Sequence, residues 1–418
     1  MRFVAADFAG GDSAETEMQR FLLVLCRRDV ADSALLAQCA ELEQRGRRRA
    51  FLALAAALRV EGLVLVRLEK LPLRERLSEV AVLELLAPLA SLRERAQRQE
   101  RELERILGRC AEVSLTPTVL KGPALRRSVY GEAAERWCGD FDLLFPPQHF
   151  EQALDLLFDA GYRSPHSLPD LESYRRHHFH VLLRHPERFS LEIHWALHRP
   201  GSPFRLDAQA FVERAQVLQG DSGRCFRVPC REHLLLHTAK ESREDAFSRL
   251  DRMVDLDRLI AAGELDWDYL WRQARAGGLD VVLALCLQMT QRLLGTRLPA
   301  GALVRPPRAA RVHLALLRPV RSLFRRRFAE RSVAAKLLRF WSIAGARARC
   351  TYLLEILTGR EAELLWLWQG EAAARATPAA YGRGFVALAK LFFYQLWLYA
   401  AAGAALLRSS RRRELRFW

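Results

Sequence analysis

The sequence has no Cys-x-x-Cys pair, and its eight cysteines are scattered along 418 residues. Cys225 and Cys230 are the nearest to each other and lack the spacing of a zinc knuckle, so this class of metal site is not expected. Most of the cysteines stand among apolar residues, which is typical of reduced core thiols and favours a cytosolic compartment over a secreted one. The first residues also lack the apolar stretch of a signal peptide, so no secretion signal is expected there.

Acidic residues are outnumbered by basic ones, 49 against 65, which gives a net charge of +16. Such a balance can indicate a nucleic acid, nucleotide or anionic membrane partner. Nearly all the cations are arginines spread along the chain, so charge alone does not favour nucleic-acid binding. A hydrophobic fraction of 50% is ample for a buried core and excludes wholesale disorder.

Helical patterns dominate both ends of the chain, where Ala, Leu, Arg and Glu prevail and apolar residues recur every three or four positions. Between them, short strand patterns alternate with helices. This order predicts an α+β fold, a small mixed-sheet core embedded in mostly α-helical N- and C-terminal regions. The predicted divisions are an N-terminal helical domain at 1–110, the α/β core at 111–228, a helical domain packing on the core at 229–300 and a C-terminal helical region at 301–418.

Within the core, TPTVLKG predicts a short strand that ends at a glycine, followed by a helix with Pro123 in its first turn. Residues 136–145, RWCGDFDLLF, predict the next strand. An amphipathic helix that Gly161 stops comes next. HVLLRH and FSLEIHW then predict a hairpin.

The acidic residues of these strands carry the chemistry. Asp140 and Asp142 are two residues apart, so on a strand both carboxylates lie on one face, an arrangement that favours a cation between them. Asp oxygens suit Mg²⁺. Glu192, on the same face of its strand as His194, could add a third carboxylate, and Gly122 would let backbone N–H groups approach a phosphate. The alternative is that DFD is a solvated strand end.

This layout is that of phosphoryl or nucleotidyl transfer, in which one metal ion activates a hydroxyl and another neutralises the triphosphate. Lys121 and Arg136 flank the acidic residues and could bind triphosphate oxygens or pair with local carboxylates. His194 could be a base, a partner of a metal ligand or a buried hydrogen-bonded histidine. Lys240 and His237, on a later helix, could cap a nucleotide pocket or join that helix to the sheet.

LKGPAL, RWCGDFDLLF, the helix ending in AGY and LEIHW together resemble the bacterial nucleotidyltransferase-like family of the DNA polymerase β-type superfamily. The resemblance implies a metal-dependent nucleotidyltransferase that uses two Mg²⁺ ions and an NTP, with ATP the expected nucleotide. Gly122 matches the phosphate turn, and Asp140, Asp142 and Glu192 match the metal ligands. The acceptor is an unidentified hydroxyl of a protein, sugar, peptide or small molecule.

Three departures from the family pattern support a second hypothesis. Pro123 follows Gly122 in place of Gly or Ser and removes one N–H donor. The interval from Gly122 to Asp140 is longer than usual, and Glu192 stands where Asp is common. A degenerate nucleotidyltransferase fold that acts as a nucleotide-binding or membrane-associated scaffold would tolerate all three.

The apolar run at 391–407 precedes a basic tail, RSSRRRELR. It is at the lower length limit for a membrane span. Three interpretations stay open: a packed helix, an interfacial helix whose 391–418 segment contacts anionic lipid, and a true span.

Overall fold

The computed structural model describes residues 13–165, 175, 178–220, 223, 225–245, 247–300, 302 and 343. In these residues the α-helices are α1 Ser13–Cys26, α2 Asp32–Gln44, α3 Arg48–Ala57, α4 Glu61–Glu69, α5 Glu79–Glu112, α6 Lys121–Val129, α7 Phe150–Asp159, α8 Ala208–Glu213, α9 Arg231–Glu244, α10 Leu250–Ala261, α11 Trp267–Ala276 and α12 Asp280–Leu294. The strands are β1 Thr118–Leu120, β2 Phe141–Leu144, β3 His180–Leu183, β4 Leu191–His194, β5 Gln216–Gln219 and β6 Cys225–Val228.

The strands form one six-stranded mixed sheet in the order β3-β4-β2-β1-β6-β5. β2 runs parallel to β4 and β1 runs parallel to β6, while the other neighbours are antiparallel. This sheet and the helices around it confirm the α+β class. The β3–β4 hairpin is where the sequence predicts one, whereas the β5–β6 hairpin was not predicted.

Strand β2 is shorter than the predicted strand at 136–145, because the structure begins it at Phe141 and ends it at Leu144. The backbone before it bonds to side chains instead of to a strand: Gln99 Nε2 donates to Cys138 O at 2.9 Å and Arg126 Nε donates to Arg136 O at 2.7 Å. Asp140 therefore lies just ahead of the strand, and the prediction that it shares a strand with Asp142 is wrong.

The two faces of the central strands differ in chemistry. One face is apolar and fully buried, through residues such as Phe141, Leu143 and Ile193. Each such side chain contributes roughly 1.5–3 kcal/mol by burial. The opposite face carries Asp142 and Glu192, so packing of the apolar face holds these two carboxylates in position.

The larger hydrophobic cluster runs from α1 through the sheet to α12, and a smaller one joins α4, α5 and Ala134. The domain boundaries given above remain predictions. The C-terminal helical region, with its run at 391–407, lies outside the described residues apart from positions 302 and 343. Of the helices that the structure describes, none combines the length and apolar character needed to cross a membrane.

Candidate active site on the polar face of the sheet

The strand register brings two of the predicted acidic residues side by side. Asp142 on β2 is the direct partner of Glu192 on the parallel strand β4, and Leu144 is the partner of His194. Because side chains alternate along a strand, Asp142, Glu192 and His194 share one face. The sequence predicts a common face for Glu192 and His194, but the neighbour relation to Asp142 depends on the parallel pairing.

Lys121 supplies a positive charge to these carboxylates. Its Nζ lies 2.5 Å from Asp142 Oδ1 and 3.3 Å from Glu192 Oε2. Burial would lower the pKa of Lys121, but the nearby carboxylates outweigh it and hold the pKa well above its ordinary value. The backbone φ of Lys121 is +50°, a left-handed conformation that costs a lysine about 1–3 kcal/mol. Lys121 is therefore a strained first residue of α6, and its ammonium lies against the carboxylates of the acidic cluster.

His194 binds both carboxylates and is itself buried. Its Nε2 lies 2.9 Å from Asp142 Oδ1 and 3.4 Å from Glu192 Oε2. Burial would lower the pKa of His194, but the hydrogen bonds to Asp142 and Glu192 raise it above the ordinary value. Burial would raise the pKa of Glu192, yet His194 and Lys121 hold it well below its usual range. His194 therefore keeps both carboxylates oriented.

His180 is a neighbour that the sequence analysis missed. It is the register partner of His194 on β3, and its Nε2 lies 3.9 Å from Glu192 Oε1. Burial lowers the pKa of His180 to about 3, so its imidazole is neutral and able to coordinate a metal. The signal that could have found it is its place on the hairpin strand opposite LEIHW.

Asp140 stands at the end of the cluster where β2 begins. Burial raises the pKa of its carboxyl to about 6, and the charges of Asp142 and Glu192 add to this effect. The positive charge of Arg59 acts in the opposite direction on the same pKa. Arg59 was also missed: it has a φ of +60°, and its guanidinium carbon lies 4.6 Å from the centre of the Trp137 ring.

Gly122 has a packing role in the structure. A Cβ at this position would lie 2.5 Å from Cys138 Sγ, so only glycine lets the start of α6 lie against the segment that leads to Asp140. Leu120, at the N-cap of α6, offers no side-chain acceptor to the first N–H groups. Uncapped N–H groups at a helix start can bind a phosphate. Assignment of Gly122 to a phosphate turn stays a prediction.

Arg136 points away from the carboxylates of the sheet. Its Nε and Nη2 each donate to Asp255 at 2.7 Å, and its Nη1 lies 3.3 Å from Asp251. Burial would lower the pKa of this guanidinium, but Asp255 and Asp251 hold it well above the usual range. In the structure Arg136 thus joins the segment before β2 to α10, and its predicted contact with nucleotide remains a prediction.

Helix α9 contributes the remaining predicted residues and one further carboxylate. Lys240 Nζ lies 2.7 Å from Glu244 Oε1 and 5.8 Å from the centre of the Phe179 ring. Glu241, which the sequence analysis missed, lies 4.0 Å from Lys121 Nζ. His237, one turn earlier, has its Nε2 3.8 Å from Glu241 Oε1. The spacing of 237 and 241 on one helical face was the signal for this pair.

Two kinds of cation fit this cluster. Asp140, Asp142 and Glu192 offer the oxygen ligands that Mg²⁺ takes, and the presence of the Lys121 ammonium shows that the cluster attracts positive charge. In the described part of the chain, the group whose ligand atoms all lie within 4.8 Å of one another is His180, Glu192 and His194. Its two imidazoles suit Mn²⁺ or Zn²⁺ better than Mg²⁺.

The chain matches a known protein family. Residues 46–295 match the family described as uncharacterised nucleotidyltransferases. A search of the curated proteins returns no match to this chain. The matched range includes the whole acidic cluster, with Lys121, Asp140, Asp142, Glu192 and Glu241 inside it. Since the match covers more than half of the chain, this protein belongs to that nucleotidyltransferase family.

Proposed function

We propose that this protein transfers a nucleoside monophosphate from an NTP, with ATP the expected donor, to a hydroxyl acceptor, and that Asp140, Asp142 and Glu192 hold Mg²⁺ for the reaction. The observation that carries the proposal is the register of Asp142 with Glu192 on one sheet face, with the Lys121 ammonium against both. Membership of the nucleotidyltransferase family supports the reaction class. The proposal also places the chain among bacterial relatives of the DNA polymerase β-type superfamily.

The metal ions, when bound, would lower the pKa of the acceptor hydroxyl and neutralise charge on the triphosphate. The protein's own groups have separate roles. His194 keeps Asp142 and Glu192 oriented. The N–H groups at the start of α6, which the N-cap residue does not cap through its side chain, and the guanidinium of Arg59, near Asp140, are placed to bind triphosphate oxygens. Lys121, at the first residue of α6, can reach the same oxygens.

A second candidate function is favoured by the contacts of Lys121. Because its ammonium already neutralises Asp142 and Glu192, the cluster is satisfied without a metal ion. A degenerate protein that serves as a nucleotide-binding or membrane-associated scaffold would need no more than this. Pro123, which lacks an N–H group at the α6 start, is consistent with the same alternative.

The experiment that tests the proposal compares ATP labelled at the α-phosphate with ATP labelled at the γ-phosphate, incubated with the protein, Mg²⁺ and cell extract. Nucleotidyl transfer moves the α label to the acceptor and releases the γ label in pyrophosphate, whereas a kinase moves the γ label to the acceptor. An Asp140→Asn, Asp142→Asn double variant is expected to lose the transfer. An Asp155→Asn, Asp159→Asn variant, changed at exposed aspartates of α7, is the matched control and is expected to keep it.

Full Mg²⁺-dependent transfer in the Asp140, Asp142 variant would overturn the assignment of the metal ligands. A thermal-shift assay with Mg²⁺ and each NTP distinguishes the second candidate function from the proposed enzyme. The enzyme is stabilised by Mg²⁺ together with an NTP. A scaffold that binds neither shows no shift with any of them, and a scaffold that binds nucleotide shows a shift without transfer of the α label.

A further inference from the structure

A cavity of about 220 Å³ lies beside the acidic cluster, between the segment 198–211 and helices α9 and α11. None of the carboxylates of the cluster lines it. Its lining residues are His198, Arg205, Leu206, Asp207, Phe211, His233, Leu236, Gln273, Ala276 and Gly277. The floor is buried, through residues such as Phe211 and Leu236, while Arg205 and Asp207 stand exposed at the rim.

A chain of contacts joins this cavity to the cluster. The Phe211 ring in the cavity wall has its centroid 6.0 Å from that of His237. His237 Nε2 lies 3.8 Å from Glu241 Oε1, and Glu241 lies 4.0 Å from Lys121 Nζ. His233 and Glu241 are eight residues apart on α9, which is about 12 Å along the helix axis. His233, His237 and Glu241 share one face of α9, so the cavity and the cluster lie along the same side of that helix.

The sheet places this cavity on the acceptor side of the proposed reaction. Strands β2 and β4 run in parallel away from the Asp140 end, and β4 leads through His194 to His198 in the cavity lining. Because β1 is antiparallel to β2, the start of α6 at Gly122 lies at the Asp140 end of the sheet, opposite to the cavity end. Phosphoryl transfer keeps the attacking and leaving oxygens in line on opposite sides of phosphorus. A triphosphate held by α6 would thus leave the cavity end of the sheet for an acceptor hydroxyl.

The chemistry of the floor is polar but uncharged. His233 is 1% exposed, and its Nδ1 has no hydrogen-bond partner among the described residues, while its Nε2 lies 2.7 Å from the Tyr269 hydroxyl. Gln273 adds an amide with both donors and an acceptor. The charged lining residues, Arg205 and Asp207, stand at the exposed rim, so a carboxylate or ammonium on the floor would lose its hydration there, whereas hydroxyl groups would find partners on the floor itself.

The walls and the volume of the cavity further limit the class of ligand that fits. The His233 ring is stacked on the Phe211 ring, with centroids 4.3 Å apart and planes 3° from parallel. This stack forms part of a flat wall against which the C–H face of a sugar ring can pack. The volume of about 220 Å³ has the size of one such ring and is too small for a folded macromolecular segment.

We propose that this cavity binds the acceptor, and that the acceptor is an uncharged polyhydroxylated molecule of monosaccharide size. The proposal rests on the proposed nucleotidyl transfer, because it assigns the acceptor of that reaction. His233 and Gln273 bind its hydroxyl groups, and the hydroxyl nearest to His194 is the one that receives the nucleotide.

The test is saturation-transfer NMR on the full-length protein with D-glucose, D-galactose, D-mannose and D-ribose as one probe set, and L-serine and L-tyrosine as the other. At least one sugar is expected to receive saturation, and the amino acids are not. Ala276→Trp, at the cavity rim, is expected to abolish the sugar signal. Arg275→Trp, an exposed change on the same helix outside the lining, is the matched control and is expected to retain it.

His233→Phe keeps the stacked ring and removes its nitrogens, so it is expected to weaken sugar binding about tenfold, the effect of losing one buried hydrogen bond. Equal sugar signals in the Ala276 and Arg275 variants, a signal from the amino acids alone, or no signal from either set would each overturn the proposal. Binding of Mg²⁺ and ATP by the same samples is followed separately. If the samples bind Mg²⁺ and ATP but no sugar, only the acceptor assignment is wrong. If they do not bind Mg²⁺ and ATP, the proposed nucleotidyl transfer is wrong.

Discussion

Replacing Lys121 by methionine would test how the acidic cluster is stabilised. Methionine keeps the length of the side chain and the left-handed backbone, so the main change is loss of the ammonium. The substitution leaves Asp142, Glu192 and Glu241 facing one another without the charge that now lies 2.5, 3.3 and 4.0 Å from their oxygens. Asp142 is only 1% exposed, so water cannot replace this charge well.

Removing one partner of a buried ion pair costs about 3–5 kcal/mol, and we expect the lower end because Lys121 is 20% exposed. At about 2 °C per kcal/mol for a chain of this size, the metal-free variant should unfold about 6 °C below the wild type. Mg²⁺ at 100 times its dissociation constant restores about 2.7 kcal/mol. The wild type should gain less, because there the ion competes with the ammonium.

The assay is thermal unfolding in EDTA and in Mg²⁺, with Lys70→Met, at an exposed lysine, as the matched control. Lys121 is one of the charges that hold the pKa values of Glu192 and Glu241 below their usual range, so its removal should make this lowering smaller. A lowered carboxyl pKa gives stability that is lost as the pH falls, so the variant should lose less stability than the wild type below about pH 5. Equal midpoints for the two variants in EDTA, or equal gains in Mg²⁺, would show that the ammonium does not stand in for a bound cation.

Four further outcomes are expected. Arg59→Ala should raise the KM for ATP about tenfold in steady-state assays, the loss of one charge-assisted hydrogen bond, whereas the exposed Arg49→Ala should not. His194→Gln should weaken Mg²⁺ binding by about 10- to 100-fold in calorimetric titration, because the carboxylates lose their orienting partner. The pKa of Asp140 is raised to about 6, so its contribution to stability falls as the pH rises from about 4 to 6, and Mg²⁺ stabilisation should grow through the same range. In thermal unfolding, Asp140→Asn should reduce the pH dependence of stability and the pH dependence of Mg²⁺ stabilisation. A wild type that shows neither pH dependence would refute the raised pKa of Asp140. Arg136→Met should lower the free energy of unfolding by about 3–5 kcal/mol in urea titration, and an unchanged value would contradict its pairing with α10.

Local patterns in the sequence were sufficient to predict several elements of the fold. The helical spacing of apolar residues predicted α2, whose buried face is Leu35, Leu36, Cys39 and Leu42. Gly161 ends α7 as predicted and has a φ of +91°. The β3–β4 hairpin also follows from alternation along the chain. These features depend on local patterns, which one sequence displays.

The other features of the site depend on contacts between segments that are distant along the chain. The position of Asp140 ahead of β2 follows from bonds that Gln99 and Arg126 make to the backbone, which no local pattern records. His180 and Glu241 join the cluster only through strand register and helix packing. The carboxylate partners of Arg136 lie more than a hundred positions away along the chain, at Asp251 and Asp255, so its pairing could not be read from its neighbours.

Binding of Mn²⁺, followed by electron paramagnetic resonance in the presence of ATP, decides whether the carboxylates of the sheet hold a divalent ion for the nucleotide. The wild type should bind Mn²⁺ tightly when ATP is present. An Asp142→Asn, Glu192→Gln variant that remains folded should not. Equal Mn²⁺ binding by the two proteins would contradict the assignment of these residues as metal ligands.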